Sequence, residues 1–148
     1  MKAMIIRSGD SEMVVQHYMQ QLRKKGYKQT DKRKEILRIF AEQKRYLSAK
    51  EILSYMQKVY PDLSFDTVYR NLTLFEKLEI VEVTELNGER IYRLRCSDDS
   101  HHHHLICLSC GKSRVIDVCP LDVLREHPKE FTIIDHKFEL YGYCTECS

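Results

Sequence analysis

The chain has 148 residues, 43% hydrophobic and 31% charged, with a net charge of +2. That is enough for one domain or two small ones around a packed core. No stretch approaches the ~20 apolar residues of a membrane span. The first residues carry neither the apolar run nor the small-residue cleavage site of a signal peptide. A cytoplasmic protein with no membrane contact is therefore expected, and there its six cysteines should bind metal or do redox work rather than form structural disulfides. The net charge conceals an asymmetry. Residues 1–80 hold 16 Lys and Arg against 10 Asp and Glu, and residues 81–148 hold 8 against 12. A basic first half suits nucleic acid, although such an excess is also common on ordinary solvated surfaces.

In chain order, Val14, Tyr18 and Leu22 recur every four residues and predict a helix over 14–25, ended by Gly26. Thr30 can cap a second helix carrying Ile36, Leu37 and Phe40. Ser48-Ala-Lys-Glu51 is a capping box that opens a third, and Pro61 stops it. Ser64 can cap a fourth over 65–78, with Phe65, Val68, Leu72 and Phe75 as one inward stripe. The period then changes from helical to two. Residues 80–85 and 90–94 alternate on either side of Asn87-Gly88, the strongest short hairpin signal. Helices followed by such a hairpin predict a winged helix-turn-helix. A polar stretch, 96–100, is the expected hinge, which predicts domains over 1–95 and 96–148. Beyond it, 104–108, 113–118, 131–136 and 138–143 read as strands and 120–127 as a short helix. The expected fold is α+β.

On the fourth helix, Thr67, Tyr69 and Arg70 are left pointing outward. In a helix-turn-helix this end of the helix enters the major groove. Arg70 suits guanine or phosphate, and Tyr69 a thymine methyl or phosphate. Lys28 and Arg33, near the start of the second helix, suit phosphate contacts. The alternative is an ordinary exposed helix face with a salt-bridging Arg70.

The last third is rich in metal ligands. Cys107-Leu-Ser-Cys110 and Cys144-Thr-Glu-Cys147 are two knuckles separated by 33 residues. Four thiolates fill a tetrahedron and leave no open position, so a structural zinc is expected there, stapling a lobe too small to stand alone. Just upstream lie four consecutive histidines, His101 to His104. Strand alternation puts His102 with His104 on one face and His101 with His103 on the other, which can feed two separate sites. Cys96 can reach either face, and a thiolate would favour zinc over iron or manganese. Cys119, with no partner in either knuckle, reads as a packing cysteine. There is no His-Glu-x-x-His and no nucleophile–base signature, so neither enzyme activity nor a small-molecule substrate is expected.

Three segments together, Asp66-Thr-Val-Tyr-Arg-Asn-Leu72, His101-His-His-His-Leu-Ile-Cys-Leu-Ser-Cys-Gly-Lys112 and His136-Lys-Phe-Glu-Leu-Tyr-Gly-Tyr-Cys144, resemble the ferric uptake regulator family over roughly residues 14–148. Cys96, five residues before the histidines, makes the chain look most like the zinc uptake regulator branch. The resemblance implies a homodimeric, zinc-dependent repressor of double-stranded operator DNA, with an N-terminal winged helix and a C-terminal α/β dimerisation lobe. It implies a sensing site of Glu82, Cys96, His102 and His104. It also implies a second regulatory site of His101, His103, Asp122 and His136, with Asp117 a rival for the acidic position. An iron- or peroxide-responsive repressor on the same scaffold is the alternative, and a zinc module that binds protein partners is a more distant one.

Overall fold

The computed structural model describes residues 8–95, 102–123 and 129–148, with side chains from residue 11 onward. The chain divides into two compact units, Met1–Arg95 and Cys96–Ser148.

The first unit begins with α1 (Ser8–Lys24), α2 (Asp31–Gln43), β1 (Leu47–Ser48), α3 (Ala49–Gln57) and α4 (Phe65–Lys77). β2 (Val81–Leu86) and β3 (Glu89–Leu94) follow. Caps set the helix starts. The Thr30 and Ser64 side chains accept from the backbone N–H three residues on. Ser48 and Glu51 bond each other's backbone N–H groups in a complete capping box. Asn87 and Gly88 both take positive φ, 53° and 79°, as a tight turn with the twist of its flanking strands requires. The core joins Val15 and Leu22 of α1, Ile36 and Leu37 of α2, Ile52 and Met56 of α3, and Leu72 and Phe75 of α4. Two hydrogen bonds fix the wing's base. Tyr18 donates its hydroxyl to the Arg95 carbonyl at 3.0 Å, and the Arg95 N–H reaches the Ile80 carbonyl at 2.9 Å.

Three details differ from expectation. α1 starts six residues earlier, at Ser8, with Gly9 tolerated in its first turn. β1 was not expected at all. Two residues are too few for a periodic signal, yet Leu47 and Ser48 pair with Tyr92 and Ile91 and add a third strand, in the order β1-β3-β2. Phe65 is not in the core stripe. It is 44% exposed and stacks on Tyr69 with ring centroids 6.1 Å apart. Leu63 is buried instead. It precedes the Ser64 cap and stands at staple spacing from the buried Val68.

The second unit is a three-stranded sheet in the order β5-β4-β6. β4 (His103–Cys107) lies between β5 (Ser113–Ile116), antiparallel to it, and β6 (Glu139–Gly142), parallel to it. The expected helix over 120–127 is described only as a 3-10 turn at Pro120–Asp122, since residues 124–128 lie outside the described part. The expected strand over 131–136 does not form. Its apolar alternation is real, but Phe131 and Ile134 are 68% and 93% exposed. Alternation creates a strand only where an edge is available to pair with it.

Candidate metal centres and nucleic-acid face

Topology gathers the cysteines at one end of the second sheet. β4 ends at Cys107. β6, running the same way, ends at Gly142, two residues before Cys144. Leu108 N–H to Gly142 carbonyl, 2.8 Å, ties the two exits together. Each knuckle is a tight turn. Gly111 N–H returns to the Cys107 carbonyl at 3.0 Å, with Gly111 at φ 74°, and Cys147 N–H returns to the Cys144 carbonyl at 2.9 Å. The four sulfurs all lie within 4.8 Å of one another. Cys110 Sγ and Cys144 Sγ are 3.8 Å apart, far beyond the ~2.05 Å of a disulfide. A tetrahedron with ~2.3 Å metal–sulfur bonds has edges of about 3.8 Å. The cluster is therefore already spaced to hold a zinc ion.

The thiols polarise one another. Backbone N–H groups of Cys110 and Cys144 hold the Cys107 thiol down to about 6. Its bond to the Cys144 thiol pushes Cys147 up to about 12. One sulfur ionises easily and another resists, as expected when negative charge gathers without a cation. A divalent ion among them would allow all four to be thiolates.

The histidines divide between two faces. His102 and His104 lie ring to ring, edge-on, with centroids 5.1 Å apart. His103 packs against His136 at 5.0 Å and Phe138 at 5.5 Å. His103 Nε2 and His136 Nε2 are 3.2 Å apart. The third group beside them is Cys119, whose Sγ is 3.1 Å from His136 Nε2. Asp122 is exposed and is not in that cluster. Sequence reasoning judged Cys119 buried, which it is, and missed its histidine neighbours. The available signal was a cysteine left over from two complete knuckles in a ligand-rich lobe. His101 and Cys96 lie outside the described residues. Glu82 is half-buried on β2, paired with Arg93 of β3.

On α4, Arg70 is 83% exposed in its side chain, with only a loose 3.9 Å pair to Asp66. Thr67 is half-buried at the helix start, its hydroxyl 3.0 Å from that of Ser64. Tyr69 stands exposed beside Phe65. Lys28 is exposed. Arg33 has two internal bonds, donating Nε–H to Asn71 Oδ1 at 3.1 Å and Nη1–H to the Lys28 carbonyl at 2.6 Å. It braces α2 against α4. A second brace was not foreseen. Arg90 of the wing grips both carboxylate oxygens of Glu76 on α4, at 2.6 and 2.7 Å. That grip, helped by the Tyr69 hydroxyl, raises the Arg90 pKa above its ordinary value. The helix and wing are thereby fixed as one surface.

A winged helix joined to a lobe holding a sulfur cluster and paired histidines defines a metal-responsive, DNA-binding transcription regulator. Residues 24–141 match the Ferric uptake regulator family, and the chain belongs to it. This is a family of dimeric DNA-binding regulators rather than enzymes. A ferric uptake regulation protein of Staphylococcus epidermidis is 51% identical over 126 residues, covering 85% of this chain and 91% of that protein. The structure of the Helicobacter pylori ferric uptake regulator, described as having three functional metal binding sites, superposes with a TM-score of 0.68 at 25% identity, over 96% of this chain and 95% of that one. A zinc uptake regulator complexed with zinc and DNA gives 0.70 at 19% identity over 92% and 93%, a likeness of fold alone.

Proposed function

We propose that this chain is a zinc-responsive repressor that binds operator DNA as a homodimer when zinc-loaded and controls zinc-uptake genes. Such a protein acts in the cytoplasm, where the DNA is. The observation that carries the reading is the division of the histidine run. His102 and His104 face each other, apart from His103. The sequence supplies Cys96 as a thiol for the first pair and Glu82 as a carboxylate. A set of two imidazoles, a thiolate and a carboxylate suits zinc, whereas imidazoles and carboxylates alone would serve iron or manganese equally. The four-cysteine cluster would hold a structural zinc whatever the supply, being closed to exchange with a substrate.

Thr67, Tyr69 and Arg70 of α4 would face the major groove, with Lys28 at phosphate and Arg33 holding the helix in place. The second unit would dimerise. Val118, Val123, Phe131 and Ile134 are exposed on it, apolar side chains that a second copy would cover. Repression requires that the DNA-competent state bind the effector ion more tightly than the incompetent one. The linkage is reciprocal, and typical couplings of ~1–3 kcal/mol correspond to about 5–150-fold in affinity.

Iron as effector is the second reading, favoured by the 51% identity to a protein named for ferric uptake regulation. Operator binding by Cys96→Ser separates the two. The zinc reading predicts that this variant loses its zinc response. An intact zinc response in Cys96→Ser, or an iron(II) response that the substitution spares, supports the rival.

A further inference from the structure

We propose that Cys119 is a metal ligand, forming with His103 and His136 a mixed nitrogen–sulfur site that selects zinc. This deepens the reading of the chain as a zinc regulator, and it replaces the exposed Asp122 in the second site by a buried thiolate.

The sheet's connectivity builds the site. β4 begins at His103. β5 runs antiparallel, so His103 pairs with Ile116 and the chain leaving β5 reaches Cys119 three residues later, at the same end. β6 runs parallel to β4, with Glu139 beside His104, so His136 approaches β6 at that end too. Three distant segments therefore converge on the start of β4. The four-cysteine cluster lies at its finish. At ~3.3 Å per residue, the four steps from His103 to Cys107 separate the clusters by about 13 Å, and each can fill independently.

The donor atoms fit a zinc ion. All three lie within 4.8 Å of one another. Zinc–nitrogen bonds of ~2.05 Å in a tetrahedron give a nitrogen–nitrogen edge of about 3.3 Å, against 3.2 Å between His103 and His136. With ~2.3 Å to sulfur the nitrogen–sulfur edge is about 3.6 Å. The Cys119–His136 distance of 3.1 Å has to open by half an ångström, within the reach of one χ1 adjustment. Binding would release the Cys119 thiol proton to solvent. His103 and Cys119 are both buried, and Phe138 packs edge-on to the His103 imidazole. Three protein donors leave one tetrahedral position for water or a further side chain. A thiolate in this set disfavours iron(II) and manganese(II) relative to zinc.

The test uses the full-length protein with zinc in the four-cysteine cluster and Cys96→Ser, so that Cys119 is the one thiol outside that cluster. Cobalt(II) is titrated and its sulfur-to-metal charge-transfer absorption followed. The proposal predicts one thiolate-ligated cobalt per chain, an absorption that Cys119→Ser abolishes, and a loss of zinc affinity of at least ~100-fold, since even losing a ligand's supporting partner costs 10–100-fold. Cys119→Asp should recover manganese(II) binding better than zinc. Zinc content of the four-cysteine cluster and the far-ultraviolet circular dichroism confirm that the variants fold. Cobalt bound without the sulfur band, or Cys119→Ser binding zinc within twofold of its parent, overturns the proposal. So does Asp122→Asn losing the affinity that Cys119→Ser keeps. No DNA enters the assay, so zinc can fail as effector while this site stands, and the reverse.

Discussion

Arg33 tests whether a basic residue near a recognition helix serves the DNA or the fold. Its two bonds, to Asn71 Oδ1 and the Lys28 carbonyl, both use a charged donor. Such bonds contribute ~1.5–3 kcal/mol each when protected. Arg33 is half-buried, and discounting for solvent screening leaves about 2 kcal/mol for the pair. For a domain of this size, ~4–8 °C accompanies each kcal/mol, so Arg33→Ala should lower the thermal midpoint of the first unit by roughly 10 °C. Arg33→Lys is the sharper perturbation. It keeps the charge but cannot fork between two acceptors, so it should lose most of the same stability. Calorimetry of both variants gives the midpoint, and operator binding across salt concentration gives the number of phosphate contacts. The expected result is a lower midpoint for both, with the salt slope unchanged in Arg33→Lys. An unchanged midpoint in both, with the slope falling by ~1 in Arg33→Ala alone, refutes the brace and makes Arg33 a phosphate contact.

Arg70→Ala should weaken operator binding by about 10–100-fold and leave the unfolding midpoint alone, because its side chain is exposed; equal loss on non-operator DNA would reduce it to a phosphate contact. Gly88→Ala places a Cβ at φ 79° in the wing turn and should destabilise the first unit by ~1 kcal/mol in denaturant unfolding, whereas a neutral result would mean the turn can change type. A strong chelator should abolish amide protection in β4, β5 and β6 while leaving that of α2, α3 and α4, as read by hydrogen exchange, because the second unit has few buried apolar side chains among its described residues and depends on its metal. Unchanged protection in β4 after metal removal would show that the lobe stands by packing alone.

What could be read from the sequence is what local chemistry determines. The caps at Thr30, Ser48 and Ser64 act within four residues, and the Asn87-Gly88 turn carries its own backbone preference, so the first unit was nearly complete on inspection. The two Cys-x-x-Cys knuckles were legible because their spacing alone sets the turn geometry. Strand alternation also separated His103 from His102 and His104 before any coordinates. The rest is long-range. Cys119 meets His136 only because β5 is antiparallel and β6 parallel to β4, an arrangement no local window encodes. Arg33 read as a phosphate contact, and Arg90 carried no local signal, because their partners lie 38 and 14 residues away. Phe65 fitted the helical period yet is exposed beside Tyr69, while Leu63, outside the helix, is in the core.

The most direct test of the central claim is operator binding at buffered free metal, with zinc, iron(II) and manganese(II) titrated separately into the full-length protein whose four-cysteine cluster is already filled. The account predicts that operator affinity rises at least fivefold at a lower free concentration of zinc than of either other ion, and that Cys96→Ser removes that rise. Operator binding that is independent of zinc, or that responds first to iron(II) and does so unchanged in Cys96→Ser, contradicts it.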